Sequence, residues 1–134
     1  MPSILEAEYA LRRFFANLQV DVSNAYRVGE DMAKTDVSKD ARNFFRRTQP
    51  PTVDAARRAF LADFKSKYGD VSDAYFHMER VMLRYLPQGE FRTHAEAMVG
   101  KLIEGAEHGF SRAVEDELYG YGLYLKMIGS GSIR

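Results

Sequence analysis

The residues of this chain best suited to chemistry are cations concentrated between residues 34 and 67. This quarter of the sequence has nine Lys and Arg residues against four Asp residues, although the whole chain is formally neutral. Arg predominates, with thirteen residues against six Lys, and its planar guanidinium binds phosphate through paired hydrogen bonds. The pattern predicts a surface for a polyanion or an acidic protein, and the alternative is a solvated helical surface.

Five side chains of this segment are the candidate phosphate contacts. We expect each to act as a positional cation rather than as a catalyst, and they are Lys39, Arg42, Arg46, Arg47 and Arg58. The first three share one face of an amphipathic helix predicted over residues 38–47, because positions three, four and seven apart meet on a helix surface. The opposite face of that helix is apolar and aromatic, so it should pack inward.

The remaining motifs do not indicate an enzyme. His94 and His108 each follow a glutamate by four residues, a spacing typical of a salt-bridged helix surface and not the Glu-x-x-His of di-iron bundles. The Gly-Ser-Gly-Ser sequence at 129–132 resembles a phosphate-binding loop, but no strand is predicted before it. The absence of cysteine excludes disulfides and thiolate nucleophiles. We therefore expect a non-enzymatic protein with no metal and no cofactor.

Two charged residues fall inside apolar helix stripes and need partners. Arg57 lies in the stripe of a helix predicted over 53–68, and Glu117 lies in the stripe of the last helix. An unpaired charge buried at either place would be costly. A buried ion pair between Arg57 and Glu117 is one solution, and the alternative is that Glu117 turns toward water.

Apolar periodicity and helix caps predict an all-α fold in a single domain over residues 1–134. The candidate N-caps are Ser3, Thr52, Asp70 and Thr93. We expect about five helices, with long N- and C-terminal helices over 4–34 and 94–128 packed around shorter middle helices. Either long helix could be two, with breaks at 21–23 and near Gly109.

The last predicted helix is rich in glycine. Each interior glycine costs about 1 kcal/mol relative to alanine, so close packing or a bend must compensate. The positions are 100, 105, 109, 120 and 122.

Aromatic residues indicate association with other molecules. The chain has eight Tyr and nine Phe, several of them outside the main apolar stripes, and aromatic residues are enriched at protein interfaces. The possible interface residues are Phe44, Phe76, Leu83, Tyr119 and Tyr124.

These observations favour a non-enzymatic, self-assembling helical subunit whose Arg-rich segment contacts nucleic-acid phosphate. Its concrete form is a virion coat or nucleic-acid packaging protein, with copies of itself and a nucleic-acid backbone as partners. The alternative is a soluble helical adaptor or regulatory protein that forms a small oligomer and binds an acidic protein surface. A third class is a bundle that binds haem or an apolar molecule.

The sequence also bears on location. No apolar stretch is long enough to span a bilayer, and the N-terminus lacks the pattern of a signal peptide. We expect a cytoplasmic protein, or a virion component if the coat hypothesis holds.

Overall fold

The computed structural model describes residues 2–129, which form five α-helices around one hydrophobic core. They are α1 (Ile4–Leu18), α2 (Ala25–Thr48), α3 (Val53–Tyr68), α4 (Val71–Leu83) and α5 (Glu90–Gly129). No strand occurs in the part of the chain that the structure describes. The predicted all-α fold with a long C-terminal helix is confirmed.

The segment predicted over 4–34 as one helix or two is two helices, α1 and α2, on either side of the possible break at 21–23, and α2 continues beyond the predicted end to Thr48. The Asp21 carboxylate accepts hydrogen bonds from the Ser23 hydroxyl and the Asn24 backbone N–H, at 2.6 and 3.0 Å, and these bonds lower the pKa of Asp21. α2 then runs unbroken to its end, so the helix predicted over 38–47 is its second half. The Asp-Val-Ser sequence at 36–38 starts no new helix, because Val37 is fully buried on the packed face of α2.

Side-chain caps fix where three helices begin. Ser3, Thr52 and Asp70 each accept a hydrogen bond from the backbone N–H three residues ahead, at 3.1, 3.0 and 2.8 Å. The fourth predicted cap is wrong, because α5 begins three residues before Thr93. The Thr93 hydroxyl instead donates to the Gly89 carbonyl within the first turn.

α2 and α5 are the central helix pair, and glycines let their backbones touch. A Cβ at Gly29 of α2 would overlap the backbone of Leu102 on α5. A Cβ at Gly105 or Gly109 of α5 would overlap backbone carbonyls of α2. This close packing offsets the low helix propensity of glycine, and α5 is one continuous helix rather than two.

Aromatic side chains join α3 to this central pair. Phe60 and Phe64 of α3 contact Phe110 of α5, with ring centroids 6.4 and 4.8 Å apart. Phe60 also contacts Phe44 and Phe45 of α2, at 5.6 and 6.0 Å. The cluster holds the second half of α2 against both neighbouring helices, so the remaining face of α2 points outward.

α1 and α4 form a second packed unit against α5. Phe14 of α1 meets Phe76 of α4 edge to face, with ring centroids 6.3 Å apart. Phe76 is fully buried and has non-helical dihedral angles (φ −132°, ψ 19°), which kink α4 where its ring enters the core.

Candidate nucleic-acid interface

The second half of α2 presents basic side chains outward. Its buried residues include Val37, Ala41 and Phe45, which belong to the hydrophobic core. The exposed side of the same helix segment has four cations, which we call the α2 basic face: Lys39, Arg42, Arg46 and Arg47.

The four cations spread over a broad sector of α2 and do not converge on one pocket. Lys39 and Arg46 are seven residues apart, about two helical turns, and therefore lie nearly in line. Arg42 and Arg47 are five residues apart, so they project about 140° from each other around the helix axis. Arg42 lines a groove beside α5, whereas Arg47 lines a groove beside α3. Arg58, the fifth predicted contact, is exposed on α3.

Arg42 is held by an acidic residue of the same molecule. Its Nε and Nη2 atoms lie 2.9 and 3.3 Å from the two carboxylate oxygens of Glu117 on α5. The hydrogen bond to Glu117 raises the pKa of Arg42. Arg42 therefore bridges α2 and α5, and its guanidinium is already occupied by one carboxylate.

The predicted ion pair between Arg57 and Glu117 is wrong. Arg57 Nη2 lies 2.9 Å from both carboxylate oxygens of Glu115, and its Nη1 lies 3.2 Å from Asp54. Glu115 and Glu117 are two residues apart, so they project about 200° from each other around α5, one toward α3 and the other toward α2. No signal in the sequence shows that α3 lies along the side of α5 that bears Glu115.

Four of the five predicted phosphate contacts are exposed and have no ion pair within 4 Å among residues 2–129. They are Lys39, Arg46, Arg47 and Arg58. The Arg47 guanidinium also lies 5.6 Å from the centre of the Phe44 ring. Arg46 and Arg47 occupy the last turn of α2, where a positive charge interacts favourably with the negative end of the helix dipole. The dipole accounts for the position of these two residues, and all four cations remain accessible to an external anion.

A groove of about 330 Å³ runs between the second half of α2 and α5. Arg42 and Arg46 of α2 line one side, and Glu117, Tyr121 and Tyr124 of α5 line the other. The buried Tyr121 hydroxyl donates to the Pro50 carbonyl, and desolvation raises the pKa of this tyrosine. The groove therefore combines aromatic surface with one cation that is unpaired among residues 2–129, Arg46, because its other cation, Arg42, is paired with Glu117.

The predicted interface residues lie in very different surroundings. Phe44 and Phe76 are buried in the core, so their assignment to an interface is wrong: one packs on Phe60 and the other on Phe14. Tyr119 is 73% exposed. Leu83 and Tyr124 are half-buried. Many of the aromatic residues beyond the apolar stripes thus serve two internal clusters.

The histidines do not converge into a metal site. His108 Nδ1 contacts the Glu30 carboxylate across the α2–α5 crossing, whereas Glu104 lies near Lys101. Within residues 2–129, no group of three or more His, Asp or Glu side chains could hold a metal ion. The loop-like Gly-Ser sequence continues into residues 130–134, which lie outside the described residues.

Comparison with known proteins gives no relative, since no protein-family model, curated protein or solved structure matches this chain. Among the described helices, none combines the length and the apolar character needed to cross a bilayer. What the structure shows is an all-α fold built on a parallel α2–α5 pair, with exposed cations on the outer side of α2.

Proposed function

We propose that this protein is a non-enzymatic structural subunit that assembles with copies of itself and contacts nucleic-acid phosphate through the α2 basic face. A coat or packaging protein is the concrete form of this function. One observation supports it above the others: Lys39, Arg46 and Arg47 stand exposed without an ion pair within residues 2–129, although nearby arginines are paired with glutamates of α5.

The arrangement suits contact with a polymer backbone rather than reading of bases. An exposed row of cations along a helix meets phosphates in succession, and each contact releases a counterion from the nucleic acid. A polymer coated by many subunits needs only a few such contacts from each one. Arg58 on α3 adds a further exposed cation.

The groove beside α2 favours a single strand over a duplex. Tyr124 lines it opposite Arg46, and unpaired bases stack on aromatic rings while cations hold the adjacent phosphates. The bases of a duplex are stacked on one another, so none of them is available to stack on the Tyr124 ring.

The test is light scattering on the purified protein, with the ratio of absorbance at 260 and 280 nm recorded across a salt titration. We expect large particles that contain nucleic acid and release it as ionic strength rises. A clean small oligomer at low salt would contradict the proposal and favour an adaptor that binds an acidic protein.

A pair of matched triple variants locates the contact. Replacing Lys39, Arg46 and Arg47 with Gln should reduce the slope of log K against log salt for a single-stranded oligonucleotide by about 2, at about 0.7 per lost phosphate contact. The control replaces Arg13, Arg84 and Arg112 with Gln, which removes the same charge from exposed positions elsewhere. Equal slopes for the two variants would show that the α2 basic face is not the contact surface.

A further inference from the structure

The C-terminal part of α5 packs on its neighbours along one side only. Tyr121 bonds to the Pro50 carbonyl just after α2 ends, and Gly122 faces Val53 at the start of α3. Large apolar side chains on this part of α5 are nevertheless exposed: Tyr119 by 73% and Leu123 by 44%. Exposed apolar residues next to one another on a helix are typical of an association surface.

Four residues form one face of this segment, which we call the α5 end face: Asp116, Tyr119, Leu123 and Lys126. Their spacing of three, four and three residues places them in one stripe along the helix. Asp116 and Lys126 are both exposed and form no ion pair within 4 Å in the described part of the chain. The stripe is therefore apolar at its centre, with one unpaired anion at one end and one unpaired cation at the other.

The α5 end face is complementary to itself. Its charged pair and its apolar pair are both centred on position 121, so an antiparallel copy places Asp116 opposite Lys126 and Tyr119 opposite Leu123. A twofold axis at this point makes both ion pairs at once, as an isologous contact requires. A shallow groove of about 360 Å³ follows the stripe. Tyr119, Leu123 and Lys126 of the stripe line it together with Val53, Leu118, Gly122 and the Arg57–Glu115 ion pair.

We infer that the α5 end face is a homodimer surface, on which a second copy of this chain packs antiparallel about a twofold axis. The inference rests on the self-assembly in the proposed function and names one contact within that assembly. An isologous pair closes at two copies, so larger particles form when such dimers line up on the nucleic acid. We assign a second copy as the occupant because the stripe, reversed on itself, matches its own charge and apolar positions. Buried aromatic and aliphatic residues surrounded by charged residues are the usual composition of such a contact.

Charge reversal tests this arrangement by sedimentation velocity. Asp116→Lys and Lys126→Asp should each weaken self-association at least tenfold, because each sets like charges opposite one another. The double variant should regain it, and an equimolar mixture of the two single variants should form a heterodimer. The two single variants change the net charge in opposite directions, so a shared loss of association cannot come from net charge.

The control variant is Glu107→Lys, which makes the same reversal at an exposed position on another side of α5 and should leave association unchanged. Circular dichroism at 222 nm verifies that every variant is folded. A wild-type protein that stays monomeric at all concentrations would overturn both self-assembly and this surface. A wild-type oligomer that neither single reversal weakens would overturn the α5 end face alone, and failure of the double variant to reassociate would overturn the antiparallel register.

Discussion

Glu115 and Glu117 show how one turn of α5 determines which arginines remain accessible. Glu115 binds Arg57 on the side of α3, and Glu117 binds Arg42 on the side of α2. Both arginines are partly exposed, so these pairs orient the guanidinium groups more than they stabilise the fold. Glu117 in particular removes one cation from the α2 basic face.

Replacing Glu117 with Gln should strengthen phosphate binding. The Arg42 guanidinium, no longer bound to a carboxylate, becomes an additional cation beside Arg46. We expect the slope of log K against log salt for a single-stranded oligonucleotide to steepen by up to about 0.7. Glu115→Gln is the matched control, because it makes the same charge change on the side of α3. Fluorescence anisotropy measures both variants, and an equal steepening would mean that net charge alone governs binding.

At the scale of the helices, the α2–α5 crossing depends on glycines that let the two backbones touch. This packing effect can be measured separately from the low helix propensity of glycine. Gly105 faces the backbone of α2 so closely that a Cβ would overlap it. Gly100 lies on the exposed side of the same helix, and a Cβ there would meet no neighbouring element within 4 Å among residues 2–129. One helix thus contains both a glycine that packing requires and a glycine that packing does not.

The two alanine variants should change stability in opposite directions. Gly105→Ala should destabilise the protein by about 1–3 kcal/mol, because the overlap forces the two helices apart. Gly100→Ala should stabilise it by about 0.5–1 kcal/mol through helix propensity. Urea unfolding followed by circular dichroism measures both free energies. Equal stabilisation by the two substitutions would contradict the close crossing.

Local signals in the sequence predict helix starts better than helix continuity. Ser3, Thr52 and Asp70 cap their helices as expected, since a cap depends on a few neighbouring residues. The sequence at 36–38 has the same cap chemistry, yet it lies inside α2, because burial of Val37 against the core outweighs the local preference. The glycine content of α5 predicted close packing or a bend, but not which helix would be the partner.

At the scale of the whole molecule, the charge asymmetry is partly balanced within the fold. The basic segment has a surplus of five charges in the sequence, and α5 supplies two glutamates that bind two of its arginines. The sequence therefore predicted which residues are cationic, and Lys39, Arg46, Arg47 and Arg58 remain exposed as expected. It could not predict that Arg42 is paired, because the partner is 75 residues away and only the packing of α2 on α5 joins them.

Self-association and phosphate binding should be coupled through the dimer. Two copies joined at their α5 end faces place two α2 basic faces in one particle, so a strand long enough to reach both gains affinity from the second contact. Asp116→Lys separates the copies and also raises the net charge of each chain by two. We therefore expect it to weaken binding of a long single strand at least tenfold, while binding of an oligonucleotide that covers one face is unchanged or stronger. Fluorescence anisotropy with the two lengths measures the effect, and a parallel gain for both lengths would show that each subunit binds nucleic acid independently of the dimer.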